Sequence, residues 1–231
     1  MDSSQQRLVW DLPVRIIHWS LLLCVLGSWL TQQLPSDWFP WHVRCGYAVL
    51  ILVSTRLLWG LVGTRHARFV SFVRGPRAVL IYARGLISGK ATAFAGHNPL
   101  GALMVLALLA LLLAQALTGL FANDEILNTG PLYGYVSNSL SLQLTGWHHR
   151  IFNLLLAAVA LHVSAALFYL LVKKENLIRP MLTGRKRADE LLPDQAIAAS
   201  RTWLALLLAV LLGAALWYIV QRAPSAEVMA F

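Results

Sequence analysis

Two histidines on one apolar stretch carry the strongest chemical signal in this chain. His148 and His162 lie fourteen residues apart in GWHHRIFNLLLAAVALHVSAALFYLLV. In an α-helix that separation leaves the two side chains about 40° apart around the axis and roughly 21 Å apart along it. One helix thus presents two imidazoles on one stripe, near opposite sides of a hydrocarbon core about 30 Å thick. His18 and His42 lie in two other apolar stretches. With the outer surface near Leu34, His42 and His148, His18 sits roughly 24 Å down and His162 roughly 21 Å down. His42 can then face His148 in the outer leaflet, and His18 can face His162 in the inner one. An ionisable side chain inside a membrane is costly and needs a reason. For one histidine an interhelical hydrogen bond is reason enough. Four imidazoles in two matched layers point instead to axial ligation of two haem irons, each ligand's second nitrogen donating to a carbonyl.

The elements that must hold these residues follow from composition. The chain has 231 residues, of which 58% are hydrophobic. Five runs are long and apolar enough to cross a bilayer, at about 16–34, 42–62, 100–121, 148–172 and 202–221. Backbone groups in lipid must be satisfied internally, so the runs are expected to be helices. The formal charge of +9 is one-sided. The N-terminal lead and the 65–97 and 173–201 loops hold almost all the lysine and arginine, whereas Arg44, Arg150 and Arg222 stand alone on the other side. The positive-inside rule then places the N-terminus in the cytoplasm and, after five spans, the C-terminus in the periplasm. The basic excess reads as a topology signal with anionic lipid as a contact, not as a nucleic-acid surface, since no soluble basic domain exists to carry one. The first span is too long for a cleaved signal peptide and lacks a small-residue cleavage site. The expected fold is all-α integral membrane: a four-helix haem-binding bundle over 1–187, then a connector and a fifth transmembrane helix over 188–231.

Other residues take secondary roles. Arg56 follows His42 by fourteen residues and shares its face, so it can reach the inner layer as a haem-propionate partner or snorkel near the helix end. Arg44 and Arg150 are candidate propionate contacts on the outer side. His149 points about 100° away from His148, which makes His148 the expected ligand. His97 and Asn98 open the third span at the inner interface and are candidates for a quinone headgroup, or simply a polar helix start. Gly46 and Gly60, and Gly101 and Gly119, recur on single helix faces where a flat macrocycle or a neighbouring helix could approach. His66 reads as a solvated loop residue. Cys24 and Cys45 are expected at different depths, hence unbridged. No C-x-x-C-H occurs, so no covalent c-type haem is expected. RGPRAVLIYARGLISG reads as an amphipathic surface helix dipping Leu80, Ile81 and Leu86 into lipid. Residues 122–146 form an outer loop, with GYVSNSLSLQLTG as a short interfacial helix and the loop as a docking surface.

The stretches VWDLPVRIIHW, WHVRCGY, RLLWGLVG, RHARFVSFVRGPR, GHNPLG, HHRIFNLLLAAVALH and KKENLIRPM resemble the bacterial cytochrome b561 and nickel-hydrogenase cytochrome b subunit family over about residues 9–187. The resemblance implies a four-helix membrane bundle with b-type haem and ligands His18, His42, His148 and His162. It also implies electron transfer between the quinone pool and a redox partner such as a periplasmic cytochrome, hydrogenase or dehydrogenase. The expectation is therefore a di-haem b cytochrome of the bacterial inner membrane, an electron-transfer protein or the membrane subunit of an oxidoreductase. A homo-oligomer is compatible with the pattern. Two alternatives differ in class. One is a stand-alone superoxide:quinone oxidoreductase, for which Arg44, His149 and Arg150 would form a basic funnel. The other is a non-redox, histidine-lined carrier, which the absence of inverted repeats and broken helices disfavours.

Overall fold

The structure is a computed structural model that describes residues 6–90, 92, 94–187 and 195–224. Within it lie α1 (Leu12–Gln32), α2 (Phe39–Val62), α3 (Phe69–Phe72), α4 (Pro76–Ile87), α5 (Pro99–Leu120), α6 (Asn138–Leu171), α7 (Ile178–Thr183) and α8 (Thr202–Gln221), with two short strands, β1 (Gln6–Leu8) and β2 (Arg185–Arg187). Five helices, α1, α2, α5, α6 and α8, are long and apolar enough to span a membrane. The fold is thus the expected all-α integral-membrane class. Large apolar side chains such as Leu23, Leu154, Leu206 and Trp203 stand exposed along these helices, as lipid-facing surfaces require.

Local chemistry sets the helix starts. Asp11 Oδ1 accepts the Val14 amide at 2.7 Å and caps α1, with Pro13 in the first turn, where a missing N–H costs nothing. Asn98 Oδ1 accepts the Gly101 amide at 2.8 Å and caps α5 ahead of Pro99. Ser137 caps α6 through the Leu140 amide at 3.3 Å. The short interfacial helix expected in the outer loop is continuous with the fourth span: no breaker separates GYVSNSLSLQLTG from the apolar run, and α6 extends over 34 residues. The amphipathic helix forms as α4, with Tyr82 buried and Leu80, Ile81 and Ile87 outward; Leu86 is half-buried instead of exposed.

The chain divides into two compact units. The first comprises Met1–Ile16, Arg56–Leu108 and Ala158–Ala205. Here β1 pairs antiparallel with β2 in the register Gln6↔Arg187, Arg7↔Lys186, Leu8↔Arg185. Gly184, left-handed at φ 80°, ends α7, and its carbonyl accepts the Val9 and Trp10 amides at 2.8 and 3.1 Å. At the core lies Asp11, 1% exposed. Its Oδ2 accepts Trp59 Nε1 at 2.9 Å and Thr64 Oγ1 at 2.5 Å. One carboxylate thereby caps α1 and ties it to the end of α2.

The second unit comprises Ile17–Thr55, Leu109–Ala157 and Leu206–Phe231. Val53, Ser141, Thr55 and Leu155 are the most buried side chains among its described residues, and Ser141 Oγ donates to the Phe121 carbonyl at 2.6 Å. In the loop between α5 and α6, Asp124 accepts the amides of Ile126, Leu127 and Asn128 and the Asn128 side chain. Its slight burial alone would raise the Asp124 pKa, but these four donors hold it down at about 2. Cys45 Sγ lies 3.2 Å from the Cβ position of Gly27, one turn from Cys24. The two cysteines are therefore closer in depth than expected, because α2 begins at Phe39 and α1 ends at Gln32, so Gly27 and Cys45 stand about equally far from the helix ends that the α1–α2 connection joins. Both thiols are free.

Candidate functional site

His42, on α2, and His148, on α6, both belong to the second unit and meet there, with ring centres 6.3 Å apart and planes at 73°. His42 Nδ1 lies 2.9 Å from the Ser28 carbonyl and 3.0 Å from Ser28 Oγ, both on α1. His148 Nδ1 lies 2.9 Å from the Gln115 carbonyl on α5. A carbonyl can only accept, so Nδ1 carries the proton in both rings and each Nε2 keeps its lone pair. Gln115 Nε2 lies 3.0 Å from His148 Nε2 and donates to that lone pair. Metal-binding histidines characteristically anchor the second nitrogen on a carbonyl in this way. Metal–imidazole bonds of about 2 Å on either side of one ion separate ring centres by roughly 6 Å, which the pair matches.

The surroundings of the pair suit a flat group. A Cβ on Gly119 would lie 2.8 Å from His148 Cε1 and 3.1 Å from Nδ1, so only glycine leaves the ring where it is. Gly46, one turn beyond His42, faces open space. Among the described residues no three His, Cys, Asp or Glu side chains gather around one point. The donor set is a pair, which is what axial ligation uses and fewer donors than the four of a structural zinc site. Of the paired glycines, Gly119 serves the histidine, whereas Gly60 packs against the Phe69 ring and Gly101 against Asn98.

His18 lies in the second unit, its ring 5.0 Å from Trp19 at 87°. His162 lies in the first unit, half-buried on the same unbroken helix as His148. His149 is exposed, its ring 6.2 Å from that of His148. Arg44 stacks over Trp41 at 4.5 Å and Arg150 over Trp147 at 5.3 Å. These two cations are therefore held by exposed tryptophans, the side chains that favour a membrane interface.

In the first unit, Arg56 is 5% exposed. Its Nη1 donates to the Ala67 carbonyl at 3.1 Å, and its guanidinium lies 5.4 Å from the Phe69 ring centre. It is a buried cation and not a snorkelling one. The His97 ring lies 4.6 Å from both Trp10 and Phe72. Asn98, besides capping α5, donates through Nδ2 to Tyr169 Oη at 3.0 Å, and Tyr169 Oη meets Tyr82 Oη at 2.8 Å. Burial, then the Tyr169 hydrogen bond, raises the Tyr82 pKa. His66 is buried and not solvated: its Nε2 donates to the Gln195 carbonyl at 2.7 Å. Reasoning from the sequence missed Ser28, Gln115, Tyr82, Tyr169 and Thr118, whose Oγ1 lies 3.3 Å from His148 Nδ1. Gln115 alone carried a signal, being an amide inside an otherwise apolar run, LMVLALLALLLAQAL, where a polar group needs a partner.

A multi-span α-helical membrane protein with a facing, carbonyl-anchored histidine pair has the build of a membrane cytochrome b. The prokaryotic cytochrome b561 profile matches residues 9–184, and the chain belongs to that family. Membership implies haem b. The chain is 26% identical to the probable Ni/Fe-hydrogenase B-type cytochrome subunit of Bradyrhizobium diazoefficiens, over 80% of this chain and 91% of the relative. It is 23% identical to the probable Ni/Fe-hydrogenase 1 B-type cytochrome subunit of Escherichia coli strain K12, over 79% and 92%. A shorter stretch of 50 residues is 40% identical to the probable superoxide oxidase CybB of Yersinia pestis, covering 18% of this chain and 28% of the relative.

Proposed function

We propose that this chain is a di-haem membrane cytochrome b that carries electrons between the quinone pool and a redox partner at the outer membrane face, a Ni/Fe-hydrogenase being the partner its relatives' names favour. The observation that carries the reading is the His42–His148 pair, with its 6.3 Å ring separation and both Nδ1 atoms on backbone carbonyls. A haem b held there would supply one-electron exchange. His42 and His148 would hold it through Nε2; the Ser28 and Gln115 carbonyls keep the proton on Nδ1, the Gln115 side chain would give up its bond to His148 Nε2, and Gly119 gives His148 its room. The second pair, His18 with His162, is proposed from helical spacing and from the family resemblance.

Arg56, Arg44 and Arg150 are proposed as propionate partners. The inner polar group of His97 and Asn98 is proposed as the quinone site; its support is a polar cluster beside the lipid-facing helix α4. The orientation, N-terminus in the cytoplasm and C-terminus in the periplasm, is supported by the units themselves: sixteen of the nineteen lysines and arginines fall in the first and three in the second. The membrane is the bacterial inner membrane. The test replaces His42 or His148 with alanine and quantifies haem per chain. Each variant should lose one haem and keep the other; retention of both would overturn the site. Reduction by hydrogenase under hydrogen, followed by reoxidation by a quinone analogue, then tests the partner. A second reading, superoxide oxidation with electrons passed to quinone, is favoured by the segment shared with the probable superoxide oxidase. It predicts reduction by superoxide without any protein partner, abolished by superoxide dismutase.

A further inference from the structure

Asn98, Tyr169 and Tyr82 form one hydrogen-bonded chain within the first unit. Asn98 caps α5, Tyr169 lies in the last turn of α6, and Tyr82 lies on α4. Both tyrosines are 8% exposed. Burying two hydroxyls carries a desolvation cost that two phenylalanines would not. The Asn98 amide is engaged at both ends: Oδ1 accepts the Gly101 amide, and Nδ2 donates to Tyr169 Oη. A phenolic oxygen accepts two hydrogen bonds and donates one. With Tyr82 donating across the 2.8 Å contact, Tyr169 accepts twice and keeps its own hydrogen to give. Either hydroxyl can be the donor, so the pair can reverse its direction, which a proton relay requires.

One end of this chain reaches charge and water. Lys174, left-handed at φ 57°, turns the backbone after α6, and the Glu175 amide donates to the Tyr169 carbonyl at 3.0 Å. The Glu175 carboxylate lies 3.7 Å from Nζ of buried Lys186, which also donates to the Phe94 carbonyl at 3.1 Å. The Phe94 ring meets the Tyr82 ring at 5.5 Å, and the Glu175 charge acts on the Tyr82 hydroxyl. Glu175 is 36% exposed, so its carboxylate exchanges protons with water. The other end reaches the lipid side. Val79 and Ala83, within one turn of Tyr82 on α4, line a largely apolar groove of about 340 Å³ that Leu80 and Leu103 also line. Such a groove suits the tail of a lipid-soluble quinone.

We propose that Tyr82 and Tyr169 relay protons between Glu175 and a quinone oxygen seated beside Asn98, an inference that rests on the quinone reading above. For each electron passed to the quinone, the Glu175 carboxyl gives a proton to Tyr82 Oη. Tyr82 gives its own proton to Tyr169 Oη, and Tyr169 gives its own to the quinone oxygen. Glu175 regains a proton from water, and both tyrosines end neutral. Two electrons from the redox partner and two such protons convert quinone to quinol; quinol oxidation runs the same steps backwards. Asn98 is a positioning residue that holds Tyr169 Oη.

The test photoreduces the full-length, haem-loaded protein and mixes it with ubiquinone-1 in a stopped flow. Haem absorbance follows reoxidation and a pH dye follows proton uptake. The wild type should take up one proton per electron, in step with reoxidation. Tyr82→Phe and Tyr169→Phe should each slow reoxidation about 100-fold. Glu175→Gln should slow it too, and Glu175→Asp should restore most of the rate; this exposed end keeps the test open if a tyrosine variant fails to fold. Ferricyanide takes an electron and no proton, so its reaction should be unchanged in every variant. Binding of a hydroxyquinoline N-oxide, titrated by fluorescence quenching, should be unchanged in Tyr82→Phe, and Tyr133→Phe, in the second unit, should behave as wild type throughout. Failure of ubiquinone-1 to reoxidise the wild type would overturn the quinone reading and the relay together. Wild-type rates in the tyrosine variants or in Glu175→Gln, beside a competent wild type, would overturn the relay alone. So would slowing of the ferricyanide reaction, or a loss of inhibitor binding in Tyr82→Phe that matches its loss of rate, since the tyrosine would then only hold the fold.

Discussion

Gly119→Ala separates the needs of the helix from the needs of the haem. In α5 the substitution favours the helix by about 1 kcal/mol, because alanine loses less backbone entropy. The new Cβ, however, lands 2.8 Å from His148 Cε1, and ordinary contact begins at 3.4 Å, so the ring must retreat by about 0.6 Å. His148 is held at Nδ1 by the Gln115 carbonyl at 2.9 Å. Retreat therefore strains that bond or displaces Nε2, the nitrogen left free of a proton. Disturbing the orientation of a metal-binding histidine typically weakens metal affinity 10- to 100-fold. The expected result is a variant that folds and melts no lower than the wild type after haem extraction, yet loses the His42–His148 haem at concentrations where the wild type retains it. The assay is haem per chain by pyridine haemochromogen during dilution or competition with apomyoglobin, with thermal melting alongside. Gly146→Ala, whose Cβ meets nothing within 4 Å, is the control and should keep full haem. Full haem retention in Gly119→Ala would refute the assignment of His148 as the ligand in this geometry.

Asp11→Ala removes the α1 cap and the acceptor for Trp59 and Thr64 together; it should cost on the order of 3 kcal/mol, read as a lower melting temperature and earlier proteolysis of the N-terminal segment. His66 has a pKa below its ordinary value because burial penalises the imidazolium; the Gln195 carbonyl partly offsets this, and Arg65 and Lys186 add to it. Its stabilising contribution is complete above about pH 6.5 and is lost as pH falls through the lowered folded-state value. Hydrogen exchange at the Ile197 amide, corrected for intrinsic rates, should therefore speed up below pH 6.5 in the wild type and lose that dependence in His66→Gln; the same dependence in both would contradict it. Asn98→Leu loses the α5 cap and the Tyr169 contact and should cost about 1 kcal/mol. Asn98→Asp keeps a capping oxygen. Both should slow haem reduction by quinol while haem content holds, and unchanged rates in both would remove Asn98 from the quinone site.

The long-range pattern was legible because it follows from periodicity and charge. His148 and His162 on one helix, the five spans and the amphipathic helix at 76–87 all follow from rules that act along the chain. Contacts that join distant segments were not legible. Pairing of β1 with β2 needs a three-residue lead to meet a segment almost 180 residues later, and no local propensity marks either strand. Asn98 read equally as a quinone contact or a helix cap; only the position of Tyr169, 71 residues away, shows that its side chain has two structural partners. The histidine anchors are backbone carbonyls of Ser28 and Gln115, and a backbone group carries no signature in a sequence. His66 was misread for the same reason: the Gln195 carbonyl that buries it lies 129 residues on.

Paired histidine ligation of haem is tested most directly by a dithionite-reduced minus oxidised visible spectrum of the purified protein, with haem quantified per chain. A b-type α-band with two haems per chain, falling to one in His148→Ala, is the predicted result. A chain without haem, or two haems retained in His148→Ala, would contradict it.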